Sequence, residues 1–214
     1  MSETIARLQE AIITYDNTLA RQMAVKALDE GVEPGKILEA TTEVIRKIGD
    51  EFGRGELFLP ELVGAASAMS EAISIVEMEL EKTGEKVEKI GTVVMGTVKG
   101  DIHDIGKTMV KTFLVAGNFR TIDLGVNVSI DEFVKAIEKY NPQILGLSAL
   151  LTTTITEQRN TIDALKEKGM RDKLKVIIGG AATNQDFADE IGADGYESTA
   201  PRAPGLCTRL LNKE

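Results

Sequence analysis

The chain has 214 residues, and its 34 acidic against 25 basic side chains give a formal charge of −9, which counts against general binding to nucleic acid or to an anionic membrane surface. Apolar residues make up 43% of the sequence, enough to build substantial cores, whereas aromatics make up only 4%, too few for the stacking platforms that hold single-stranded nucleic acid. The single cysteine, Cys207, excludes an intrachain disulfide and a cysteine-only metal site within one chain. Met1 to Arg7 lack the basic start and apolar core of a secretion signal, and no run approaches the ~18 apolar residues of a membrane helix. The expectation is a cytoplasmic protein without a membrane partner.

From Ser2 to about Glu81 apolar residues recur at helical spacing and strand signals are missing. Ile5, Leu8, Ile12 and Ile13 mark a first helix, and a second runs roughly from Thr18 to Glu30 before Gly31. A third begins after Pro34, a favoured first-turn residue, and carries Ile37, Leu38, Val44, Ile45 and Ile48 to about Gly53. The loop 53–60, Gly-Arg-Gly-Glu-Leu-Phe-Leu-Pro, leads into a fourth helix that ends near Glu81. Four helices of this length close a small bundle over residues 1–81, and the polar stretch 82–89 reads as a linker. From 90 to 214 the pattern alternates, with strands near 90–96, 119–124, 143–148, 174–179 and 194–196, helices between them, and a last helix to about Leu211. The predicted fold is thus α + α/β: a four-helix bundle followed by a five-stranded parallel sheet with helices on both faces, flavodoxin-like (Rossmann-like) in order.

The chemistry concentrates where the first strand turns into its helix, in the run 96–106, Gly-Thr-Val-Lys-Gly-Asp-Ile-His-Asp-Ile-Gly. His103 is the only histidine of the chain, and the carboxyl ends of strands in open α/β sheets are where such folds bind ligands. One of its ring nitrogens can face a ligand while the other donates to a carboxylate, with Asp101 the obvious partner. The alternative is a histidine that merely precedes a helix capped by Asp101 or Asp104. Gly100 and Gly106 supply backbone freedom and room for a bulky group. Two further strands end in small residues. The first, 144–154, runs Ile-Leu-Gly-Leu-Ser-Ala-Leu-Leu-Thr-Thr-Thr and places Ser148, Leu150 and Thr154 at its end. The second, 176–183, stops at Gly179-Gly180-Ala181.

Taken together in this order, Asp-x-His-x-x-Gly, Ser-x-Leu and Gly-Gly resemble the cobalamin-binding module of methionine synthase, of coenzyme-carrying mutase subunits, and of the corrinoid proteins of methylamine, methanol and methoxyarene methyltransferase systems. The resemblance implies a cobalamin bound with its own dimethylbenzimidazole displaced and His103 as lower axial ligand to cobalt, cycling between methylcobalamin and cob(I)alamin. Asp101 and Thr154 would complete a hydrogen-bonded set with His103, and Asp104 and Leu150 would lie in the same cofactor-binding loops. Gly106, Gly179, Gly180 and Ala181 would leave a slot for the nucleotide tail, Ser148 would hydrogen-bond its base, and Tyr196 and Ala200 would lie near it. Pro201 and Pro204 depart from the family's uninterrupted last helix and reshape its first turn.

The helical domain of such proteins covers the cofactor's upper face, a role the resemblance gives to Phe58, with Leu59, Ala65, Ala68 and Met69 behind it. A chain of this kind has no catalytic residue of its own and carries a methyl group on cobalt. Its implied partners are a substrate-specific methyltransferase, a second methyltransferase acting on tetrahydrofolate or coenzyme M, and a reductive activase. A mutase coenzyme subunit would share the three motifs but lack the helical cap, and a cobalamin-based sensor would need a DNA-binding domain for which the sequence has no room.

Overall fold

The first helices start where a side-chain oxygen can satisfy a free amide. In α1 (Glu3–Ile13) Ser2 accepts from the Ile5 N–H, and in α2 (Asn17–Asp29) Asp16 accepts from that of Leu19. Helix α3 (Pro34–Gly53) has no side-chain cap and opens on proline, whose missing N–H costs nothing there. Helix α4 (Leu59–Thr83) is the longest, and its buried positions include the small residues Ala65, Ala66, Ala68 and Ala72, which allow close helix approach. It runs beside α2, with Asn17 donating to Ser67 at 2.9 Å and Arg21 paired with Glu71 at 3.3 Å. By length and composition α4 could cross a membrane, closer to that limit than the sequence reading allowed. Half of its most apolar window is nevertheless buried, as in the core helix of a bundle.

The computed structural model describes residues 2–83 and 89–212, and the chain divides into two units, Met1–Glu88 and Lys89–Glu214. The linker expected at 82–89 needs correction at its start, because α4 continues through Thr83; residues 84–88 lie outside the described ones.

In the second unit the strands are β1 (Thr92–Thr97), β2 (Arg120–Asp123), β3 (Ile144–Ser148), β4 (Lys175–Gly179) and β5 (Gly195–Tyr196), all parallel, in the order β2-β1-β3-β4-β5. This is the flavodoxin-like order. The crossovers are α5 (Ile105–Ala116), α6 (Ile130–Tyr140), α7 (Ile155–Glu167) and α8 (Gln185–Ile191), and α9 (Ala203–Asn212) closes the chain. Alternation along the strands sorts the core into two layers. Val94, Leu145, Leu147, Val176 and Ile178 pack with Phe133 of α6, Ile162 of α7 and Ile191 of α8. On the other face Val93, Met95, Ile144 and Ile177 pack with Leu114 of α5 and Leu206 and Cys207 of α9. Burial pushes the Cys207 thiol up to about 12, which removes it as a nucleophile. Pro201 sits in a 3-10 turn, Ala200–Arg202, and Pro204 in the first turn of α9, again where no N–H is required.

Candidate cofactor site

Three strand ends line up to make the site. The register pairs Thr97 of β1 with Ser148 of β3, and Ser148 with Gly179 of β4. After β1 the chain bends at Gly100, whose φ of +81° suits glycine, and Asp101 turns inward, fully buried. One carboxylate oxygen of Asp101 accepts from the His103 N–H at 2.9 Å and meets the ring Nδ1 at 2.7 Å. The other accepts from the Leu150 N–H at 2.8 Å and from the Thr154 hydroxyl at 2.6 Å. Burial alone would raise the Asp101 carboxyl, but the hydrogen bonds from Thr154, the two backbone amides and the imidazole outweigh it and hold the group well below the usual carboxylate range. An ionised Asp101 can only accept from Nδ1, so the tautomer it favours carries its proton there and directs Nε2 outward as the potential ligand atom, on a side chain 45% exposed.

The backbone of the loop is held as firmly. Thr97 donates its hydroxyl to the His103 carbonyl at 3.0 Å. The Asp101 carbonyl accepts from the Asn127 N–H at 2.9 Å, and the Asn127 side chain accepts from Gly100 N–H at 2.8 Å. Sequence reasoning missed Thr97 and Asn127, since neither carries a pattern of its own. Around the imidazole stand uncovered apolar side chains, Ile102 (75% exposed), Ile105 (67%), Leu150 and Leu151, an unusual concentration for a loop.

The other expected residues divide. Asp104 is separate from the Asp101 set: it pairs with Lys107 at 2.7 Å, which lowers its carboxyl, and makes no side-chain cap to α5. Beyond Gly106 and Gly179 there is open space, whereas a Cβ at Gly180 would come 1.7 Å from the Ala149 carbonyl oxygen, at a φ of +135°. Gly180 is thus required by the backbone itself, a correction to its reading as a mere slot. Ala181 is exposed. Tyr196 pairs with Ile178 and packs into that residue's core layer, on the face opposite to Ser148, so the structure does not bring the two together. In the helical unit Phe58 is 75% exposed and Leu59 partly so, but Ala65, Ala68 and Met69 are completely buried; the last three offer no free surface.

A recess of about 760 Å³ lies at the amino ends of β3 and β4, away from His103, and is lined by Lys166, Arg171, Lys173 and Lys175 among others. Its Arg171 is spent on Asp194 and on the Gly192 and Leu174 carbonyls.

The acid response of this site has a definite sign. A carboxylate favoured in the folded chain contributes stability in full above its unfolded value, near ~3.9, and loses it as pH falls through the folded value. Urea unfolding of the cofactor-free protein at about pH 7 and about pH 3 should therefore show a larger acid loss in the wild type than in Asp101→Asn, which has no charge to protonate. Equal losses would mean that Asp101 is not held ionised.

Among the described residues no group of three or more His, Cys, Asp or Glu side chains is placed to hold a free metal ion. The donor set is one oriented imidazole on an apolar platform with glycine-lined space beside it, which fits a metal already held in a large, flat, organic ring. That is the class of protein to which the chain is matched: residues 91–204 fit a B12 binding domain family, and residues 4–77 fit a second B12 binding domain family. The chain is 41% identical over 211 residues to a trimethylamine corrinoid protein of Methanosarcina barkeri, covering 98% of this chain and 97% of that one. It is equally 41% identical over 212 residues to a dimethylamine corrinoid protein of Methanosarcina acetivorans, covering 98% and 96%. Among solved structures, the methanol:cobalamin methyltransferase complex of Methanosarcina barkeri superposes with a TM-score of 0.84 at 29% identity, over 100% of this chain and 81% of that one. A cobalamin-binding protein of Desulfitobacterium hafniense gives 0.79 at 30%, over 96% and 98%. The chain belongs to the cobalamin-binding corrinoid proteins of methyltransferase systems.

Proposed function

We propose that this chain is a methyl carrier, with His103 as the lower axial ligand of a cobalamin whose own base is displaced. When bound, cobalamin supplies the cobalt on which a methyl group is held. The protein's residues would do the rest: Asp101 and Thr154 would orient His103 as the ligand to the metal, Ile102, Ile105, Leu150 and Leu151 would exclude water, and Ser148 and Gly179 would border the space for the nucleotide tail. The observation that carries this reading is the Thr154–Asp101–His103 chain of hydrogen bonds ending in an exposed imidazole. A carboxylate behind a ligating histidine fixes its tautomer and raises its basicity.

In this reading the helical unit would shield the carried methyl group, with Phe58 and Leu59 as the exposed apolar side chains it offers, and a shielding domain would have to give donor and acceptor access in turn. The chain would receive the methyl group from a substrate-specific methyltransferase and yield it to a second one serving tetrahydrofolate or coenzyme M, with a reductive activase to restore cob(I)alamin. The methylamine corrinoid proteins among its relatives favour a methylated amine as the first donor.

The test reconstitutes the protein with hydroxocobalamin, reduces it, and follows the corrin spectrum with trimethylamine or dimethylamine in the presence and absence of a matching methyltransferase. Methylation should require that enzyme. Multiple turnovers by the isolated chain would overturn the carrier reading.

A further inference from the structure

We infer that Lys107 is a positioning residue for the axial imidazole, clamping the residue after His103 to the end of β2 so that the ligand loop stays in place; this rests on the reading of His103 as cobalt ligand. The Lys107 side chain is only 1% exposed, and its Nζ lies 2.7 Å from Asp104 and 2.5 Å from Asp123. Asp123 is anchored in turn, accepting from the Gly125 N–H at 2.9 Å, with Lys111 3.8 Å from its other oxygen.

Two features say that this ammonium is not there for the helix. Lys107 stands in the first turn of α5, where the helix dipole disfavours a positive charge. A lysine on an exposed helix face also extends into water, whereas burying its charge is costly unless it is closely paired. What the pairing achieves is mechanical. Asp104 is the peptide neighbour of His103, so a shift of Asp104 shifts the imidazole. The Asp101 carboxylate orients the ring from the sheet side, and Asn127 holds the loop backbone at Asp101. Lys107 closes the remaining side and ties the loop to the end of β2, just before the connection that supplies Asn127. Held in this way, the imidazole keeps its ligating position even when cobalt does not hold it.

The experiment loads the wild type, Lys107→Met, Lys107→Arg and Arg171→Met with hydroxocobalamin, reduces each to Co(II), and measures nitrogen coupling from a histidine by electron paramagnetic resonance, with thermal unfolding of each cofactor-free protein alongside. Arg171→Met breaks the ion pair at the other end of the sheet and serves as the control for lost stability alone. Lys107→Met should lower the ratio of histidine-bound to histidine-free cobalt about tenfold, the usual scale for a group that supports a metal ligand. Lys107→Arg should recover most of the ratio, and Arg171→Met should leave it at the wild-type value. A wild-type ratio in Lys107→Met overturns the proposal, as does an equal fall in Arg171→Met. If Lys107→Met does not fold, Asp123→Asn replaces it and must shift the ratio in the same direction; an unchanged ratio there overturns the clamp. Absence of histidine coupling in the wild type itself overturns the assignment of His103 and the clamp with it.

Discussion

Replacing His103 with alanine should abolish the protein nitrogen ligand while leaving cobalamin able to bind. Only one of the contacts proposed for the cofactor is to cobalt. The apolar platform of Ile102, Ile105, Leu150 and Leu151 and the open space beside Gly106 and Gly179 are untouched by the change. The His103→Ala protein should therefore take up cobalamin with affinity reduced about a hundredfold, the upper end of the effects seen when a metal ligand loses its support, and its Co(II) spectrum should lack histidine coupling. Fold stability should change little, since the ring is half exposed and its removal leaves the Asp101 bonds to Thr154, Leu150 and the residue 103 amide in place. Asp101→Asn should behave in the opposite way. The amide cannot accept at all four of the positions the carboxylate fills, so the loop loses stability, while the histidine still ligates with weaker basicity. Thr154→Ala removes a single buried hydroxyl donor and should cost about 1–3 kcal/mol, with a smaller effect on ligation. Titration with hydroxocobalamin and the Co(II) spectra of the three variants separate these outcomes. A persisting histidine signal in His103→Ala would end the assignment, because the chain has no other histidine.

Much of this was legible in the sequence because periodicity reports local environment. The five strands fall within about two residues of their expected limits, and the three motifs fall at the ends of β1, β3 and β4 as expected. Contacts between those motifs were not legible in the same way. The Thr154–Asp101 bond joins residues 53 apart, and only the family resemblance suggested it. Lys107 was overlooked because a lysine inside an amphipathic helix reads as a solvated one; its burial depends on Asp123, which belongs to another strand. That Tyr196 packs on the face opposite to Ser148 was not legible because β5 has two residues, too few for alternation to reveal which face a side chain takes. Met69 and its small neighbours share a helix with Leu59, and helical spacing alone does not separate the inner face from an exposed one near the helix start. Gly180 was credited to the ligand because a glycine needed by the backbone and a glycine needed by a ligand look identical in sequence.

The two glycines at the end of β4 can now be told apart by experiment, and they should fail in different ways. Gly180 has φ +135°, and its missing Cβ would overlap the Ala149 carbonyl. Gly180→Ala must therefore displace backbone at the β3–β4 ends. Strained backbone of this kind costs about 1–3 kcal/mol before any clash is counted, so the cofactor-free protein should melt several degrees lower whether or not cobalamin is ever added. Gly179 is different. It is the last residue of a regular strand, level with Ser148, and a Cβ built on it meets nothing within 4 Å. Gly179→Leu should leave the cofactor-free melting temperature nearly unchanged and reduce cobalamin uptake severely, because a branched side chain would fill the space proposed for the nucleotide tail. Cobinamide, which lacks the tail, should bind this variant and the wild type alike, and that comparison isolates the slot from the rest of the site. If Gly179→Leu instead takes up cobalamin as well as the wild type does, the tail does not pass over this strand end, and Ser148, which shares its face and register, loses its proposed role as well.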